Sequence, residues 1–297
     1  MSQKEGYSML FHTFCHIPSI GEKTERKIWQ EGILNWDDAL TDPLFRKILP
    51  GNISDRAYSM VARSYEKIEK KDIRFFTEKF HNFNRWRIFS HFRSEAVFLD
   101  IETSGLNPPD DYITVITLFD GKKIKTYVHG INMADFIDDI FHYQIIITFN
   151  GKCFDLPFIE RYFDIKLPHI HFDLRFMLKS MGLSGGLKVC EKSLGIDRGK
   201  LKGIDGYMAV LLWQKYLEGC TEALETLIAY NVEDTVNLEK LMVYYYNYNV
   251  NELSFPYLVL EEPRKKIQIS SRIYPEVINE IRYEKLRFFK EREGLIW

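Results

Sequence analysis

The chain has 297 residues, 45% of them hydrophobic and 28% charged, a balance that buries a large core and excludes wholesale disorder. A formal net charge of −2 excludes coating of nucleic acid by bulk positive charge, so any such contact needs a local arrangement. Four scattered cysteines without a Cys-x-x-Cys spacing, no apolar run of bilayer length and no secretory start leave a cytoplasmic protein with reduced thiols as the expectation.

Residues 1–92 read as a helical region. Within it, Ile17-Pro18-Ser19-Ile20-Gly21-Glu22-Lys23-Thr24, followed by Ile28-Trp29 and Gly32-Ile33, resembles a helix-hairpin-helix, with Ser19 where that motif has its first glycine. Such a hairpin offers backbone N–H groups and a helix N-terminus to a phosphate. The region is therefore read either as a contact for duplex DNA or as a hairpin kept for packing or protein contact. Between Arg74 and Arg93, basic residues alternate with Phe75, Phe76, Phe80, Phe83, Trp86, Phe89 and Phe92. Stacking platforms for single strands have this composition, but most of these rings are expected in the core.

Residues 93–250 alternate strands with helices. Ala96 to Glu102 is a short apolar run ending in acids and reads as a buried strand. Tyr112 to Phe119 is β-branched and apolar, and Asp120-Gly121 predicts a hairpin into Ile124 to Val128. A helix is expected from Asn132, as cap, to Tyr143. Gln144 to Asn150 is a second buried strand, a shorter one lies near His169 to Phe172, and a last helix runs from about Thr221 to Tyr246. The predicted class is α/β, a mixed sheet flanked by helices. Residues 251–297 are expected to form a tail that is largely helical.

Three acidic elements carry the chemistry. Asp100 and Glu102 are two apart on a strand, so both carboxylates leave the same face at its carboxyl end. Two acids so placed repel unless a cation lies between them, and an all-oxygen donor set suits Mg²⁺ or Mn²⁺ over zinc. Asp155 opens the helix that follows the second buried strand, with Pro157 in its first turn. Tyr230 and Asp234 are four apart on a helix and share a face. Four acids able to converge at one sheet edge meet the requirement of two-metal phosphoryl hydrolysis, in which two cations lie about 4 Å apart. His169 and His171 are expected to be structural, and Asp173 to lie near the acidic edge.

On these motifs the chain resembles the DnaQ-like, or DEDD, exonuclease superfamily of RNase H-like fold. Asp-x-Glu-Thr matches at Asp100, Glu102 and Thr103, Asn-x-x-x-Phe-Asp at Asn150, Phe154 and Asp155, and Tyr-x-x-x-Asp at Tyr230 and Asp234. This is the tyrosine subtype; the histidine subtype would have His where Ala229 stands. A narrower resemblance to the YprB-like group covers Trp86 to Phe89, Gly186 to Ile196 and Leu212 to Gly219. The resemblance implies 3′–5′ hydrolysis of single-stranded DNA or RNA ends with two divalent cations, Mg²⁺ or Mn²⁺. It places Asp100, Glu102 and Asp234 on one metal, Asp100 and Asp155 on the other, and Tyr230 beside the attacking water. Leu106 and Asn107 are expected against the terminal nucleotide, and Thr103, Asn150 and Phe154 complete the substrate site. An RNA-directed exonuclease, an endonuclease and an inactive nucleic-acid-binding scaffold remain as alternatives.

Overall fold

The run Ala96-Val97-Phe98-Leu99 is buried on both faces, as a strand at the centre of a covered sheet must be. In the computed structural model, which describes residues 8–106, 110–261 and 272–292, it begins β1 (Ala96–Thr103). β2 (Ile113–Phe119) pairs antiparallel with β1, and β3 (Ile124–Val128) antiparallel with β2. β4 (Ile145–Thr148) and β5 (Ile170–Asp173) continue the sheet in parallel, giving the order β3-β2-β1-β4-β5. This is the mixed RNase H-like sheet flanked by helices.

Side-chain alternation decides which layer each acid meets. Val97, Leu99 and Ile101 project to one face and pack with Phe136 and Ile140 of the helix Asp135–Ile140 and with Phe158 and Ile159 of the helix Asp155–Phe163. Asp100 and Glu102 have the opposite parity. The other face carries Val115 and Val128 of the sheet, Met208 and Leu212 of the helix Gly206–Leu217, and Leu227 and Tyr230 of the helix Thr221–Glu252. Val277, Ile278 and Ile281 of the helix Pro275–Arg292 close this second layer.

The helix expected from Asn132 begins later. Asn132 accepts the Val128 N–H at 2.8 Å and donates to the Thr126 carbonyl at 3.0 Å, so its side chain ties the turn back to β3. The helix then starts at Asp135 with Ala134 as its cap.

The chain divides into two compact units. One takes the chain up to Glu95 together with Val243–Glu261; the other takes Ala96–Met242 together with the residues after Glu261, so the expected 251–297 tail is split between them. In the first unit, Phe75, Phe76, Phe80, Trp86, Phe89 and Phe92 are buried, and Phe83 is exposed. Arg87 is buried as well, its Nη1 2.6 Å from both Glu25 Oε2 and Thr13 Oγ1. The hairpin residues lead into the helix Glu22–Gln30, and Ser19 adopts a φ of 71° where the motif's glycine would stand. The four cysteines are free thiols, and among the described residues no helix is long and apolar enough to cross a membrane.

Candidate active site

The parallel register of β1 with β4 ends at Phe98↔Ile147, so Asp100 and Glu102 lie where β1 outruns its neighbour. A register shift between Glu102 and Thr103 ends the regular ladder with β2 there. Thr103 turns its hydroxyl onto the Gly105 carbonyl at 2.7 Å, holding the loop that leaves the strand. Leu106 is exposed, and Asn107 lies outside the described residues.

On the facing helix, Leu227, Leu238 and Leu241 are buried, and between them the buried stripe is polar: Tyr230, Asn231, Asp234 and Asn237. Helical spacing of three and four puts these groups on one side. Single oxygens of Asp100, Glu102 and Asp234 all lie within 4.8 Å of one another. Asn231 donates to Asp100 Oδ2 at 2.7 Å. The Tyr230 hydroxyl accepts from Lys188 Nζ at 2.7 Å.

Asp155 arrives from the other helix layer. β4 leaves through a turn in which Asn150 has φ 69° and Gly151 has no room for a Cβ, since one would collide with the Thr148 side chain. Asp173 holds that turn: its carboxylate accepts the N–H of Asn150 at 2.8 Å and of Lys152 at 3.0 Å, and caps the next helix through Arg175 N–H at 3.0 Å. Asp155, at the first position of its helix, is buried and couples to Asp100 by charge, although it is outside the 4.8 Å group. Asn150 turns its carbonyl oxygen to Arg175 Nη1 at 2.6 Å, and the Phe154 ring packs against Phe158. These two expected substrate residues thus shape the turn and the helix base.

Burial and mutual repulsion set the electrostatics. Burial, then Asp155, Asp234 and Glu102, push the Asp100 carboxyl well above its ordinary range. Glu102 is raised by burial and then by Asp234, with Lys188 and Arg198 pulling the other way. Burial lifts Asp155 to about 7 against the lowering effect of its own and Ile101 backbone N–H groups. Tyr230 is pushed upward by burial and then by Asp234, Glu102 and Asp100, which keeps its phenol protonated at neutral pH. His171 is driven down to about 4 by burial, lies 2.8 Å from Thr148 Oγ1 and stays neutral.

Two cations escaped the sequence reading. Arg198 is ion-paired with Asp234, and its Nη1 lies 2.7 Å from Glu191 Oε2. Glu191 in turn accepts from Asn237 at 2.9 Å. Lys188 and Glu191 lie on the helix Leu187–Ser193, inside the segment that carried the narrower resemblance, while Arg198 follows it by five residues. Asn231 lies inside the third motif itself. The only signal available was proximity to those motifs, because a lysine or arginine in a polar segment otherwise reads as a solvated charge.

A five-stranded mixed sheet with acids at the end of its first strand and on a facing helix defines an RNase H-like nuclease fold. The family model described as the RNase H superfamily matches residues 97–246, half of the chain, and the chain belongs to that superfamily. Nucleases of this class use divalent metals, and the cluster fits one: three oxygen donors converge, and burial with neighbouring negative charge raises Asp100 and Glu102. Among solved structures, the family B DNA polymerase of the hyperthermophilic archaeon Pyrobaculum calidifontis is similar at 13% identity and a TM-score of 0.41, over 52% of this chain and 24% of the polymerase. NrnC from Brucella melitensis is similar at 19% identity and a TM-score of 0.39, over 56% of this chain and 79% of NrnC. A structure of the same NrnC bound to pGG aligns at 20% identity and a TM-score of 0.37, over 57% and 79%. A search of curated proteins found no match.

Proposed function

We propose that this chain is a 3′–5′ exonuclease that uses Mg²⁺ or Mn²⁺ to shorten single-stranded nucleic acid ends, DNA in preference to RNA. The observation that carries the reading is the convergence of Asp100, Glu102 and Asp234 within 4.8 Å. Asp100, Glu102 and Asp234 would hold one cation, and Asp100 with Asp155 a second. When bound, such a pair supplies an activated hydroxide and charge neutralisation at the leaving oxygen.

The protein's own groups do the rest. Asn231 fixes the rotamer of Asp100, and Arg198, anchored on Glu191, fixes that of Asp234. Orienting partners of this kind govern how well a carboxylate serves a cation. Tyr230 remains protonated, so it orients reacting oxygens by hydrogen bonding and does not act as a base.

The test is one incubation series with 5′-labelled single- and double-stranded DNA and RNA, with Mg²⁺, Mn²⁺ or chelator, beside the Asp100→Ala variant. A ladder of products shortened from the 3′ end, absent with chelator and with Asp100→Ala, is the expected result. Full activity in Asp234→Ala, or cleavage of a circular strand, would sink the proposal.

A further inference from the structure

Lys188 extends from the helix Leu187–Ser193 to the Tyr230 hydroxyl at 2.7 Å, and its ammonium also donates to the carbonyl of Ile204. Nζ lies 4.7 Å from the centroid of the Tyr230 ring, over a side chain that is 3% exposed. An ammonium carries three donors and no acceptor, so the direction of the bond to the phenol is fixed: the phenol oxygen accepts. The Tyr230 O–H must then donate elsewhere. Among the described residues, Lys188 is the one hydrogen-bond partner of this hydroxyl. Among the described residues the phenolic proton is therefore unclaimed, in a pocket where the carboxylates of Asp234, Glu102 and Asp100 act on the phenol by charge.

We propose that Lys188 is a positioning residue that fixes the hydrogen-bond polarity of Tyr230, reserving its O–H as a donor to the reacting oxygens at the acidic cluster. This rests on the nuclease reading. A donor fixed in this way holds a reacting oxygen in place and stabilises negative charge that grows on it. An ammonium on the phenol oxygen also polarises the O–H bond and strengthens that donation.

A double-mutant cycle tests it on the full chain. Lys188→Met is expected to lower kcat about tenfold or more, with KM and Mn²⁺ affinity by calorimetry within about twofold of the parent. Lys188→Arg, which keeps a donor, should retain most of the rate. In a Tyr230→Phe background, Lys188→Met should cost nothing further, because its route is gone. A full loss in that background, or an unchanged rate in Lys188→Met of an active enzyme, overturns the proposal. A second arm needs no hydrolysis. In protein carrying [¹³Cζ]tyrosine, the Tyr230 resonance, identified by its absence in Tyr230→Phe, should move in Lys188→Met and stay in Lys188→Arg. A resonance indifferent to Lys188→Met overturns the inference even if the chain cleaves nothing, an outcome that would count against the nuclease reading separately.

Discussion

Arg198 and Asp234 form an ion pair in which both side chains are more than nine-tenths buried, and Glu191, itself held by Asn237, takes the guanidinium's other nitrogen. A guanidinium so enclosed neutralises two carboxylates at once. Removing one partner of a buried pair costs about 3–5 kcal/mol, because the charge left behind has lost its compensation. Arg198→Met is expected to lose that much in urea unfolding, and adding Glu191→Gln should recover part of it. A loss below about 1 kcal/mol, the level of exposed pairs, would contradict the burial described.

Asn231 touches Asp100 but lies outside the acidic motif letters. Groups that orient a metal's ligands typically cost 10- to 100-fold in affinity when removed. Asn231→Ala is accordingly expected to weaken Mn²⁺ binding by about 10- to 100-fold, while Asp100→Ala abolishes it. Calorimetry reads both, and equal affinity in Asn231→Ala and the parent would show that Asp100 needs no such support.

Carboxyls raised on folding give the stability a definite sign with pH. Asp155 is lifted to about 7, and Asp100 and Glu102 are raised as well, so the folded chain holds protons that the unfolded chain has released. Stability from this source is present below the ordinary carboxylate range near pH 4 and is lost as pH rises through about 7. With chelator present, the melting temperature should fall between pH 5 and 8, and Asp155→Asn should flatten that fall. Millimolar Mn²⁺ should reverse it by binding the ionised form. A melting temperature that rises with pH in chelator would contradict the assignment.

Asp173 contributes through the turn that leads to Asp155. Its carboxylate accepts three backbone N–H groups, two in the Asn150–Lys152 turn and one as a helix cap. Asp173→Ala should cost about 2 kcal/mol, combining the lost cap with donors left unsatisfied. It should also lower kcat while leaving the Asp100, Glu102 and Asp234 group intact. Thermal unfolding and single-turnover rates separate the two effects, and a stable variant with full activity would dismiss the turn as a support.

The amino-acid sequence determined the strands and the candidate acids because both are written in short-range periodicity. Alternation from Ala96 to Thr103 puts Asp100 and Glu102 on one face, and a spacing of four joins Tyr230 to Asp234. The start of the Asp135–Ile140 helix was misread because Asn132 bonds backwards to β3, a choice that only the neighbouring strand makes available. Tertiary structure alone decided the cations. Lys188 and Arg198 look like solvated charges in their own segment, and their meaning comes from being packed against a helix some 40 residues further along the chain. Burial removes the water that would otherwise satisfy them, so each must find its partner in the protein, and those partners are the acid and phenol of the candidate site.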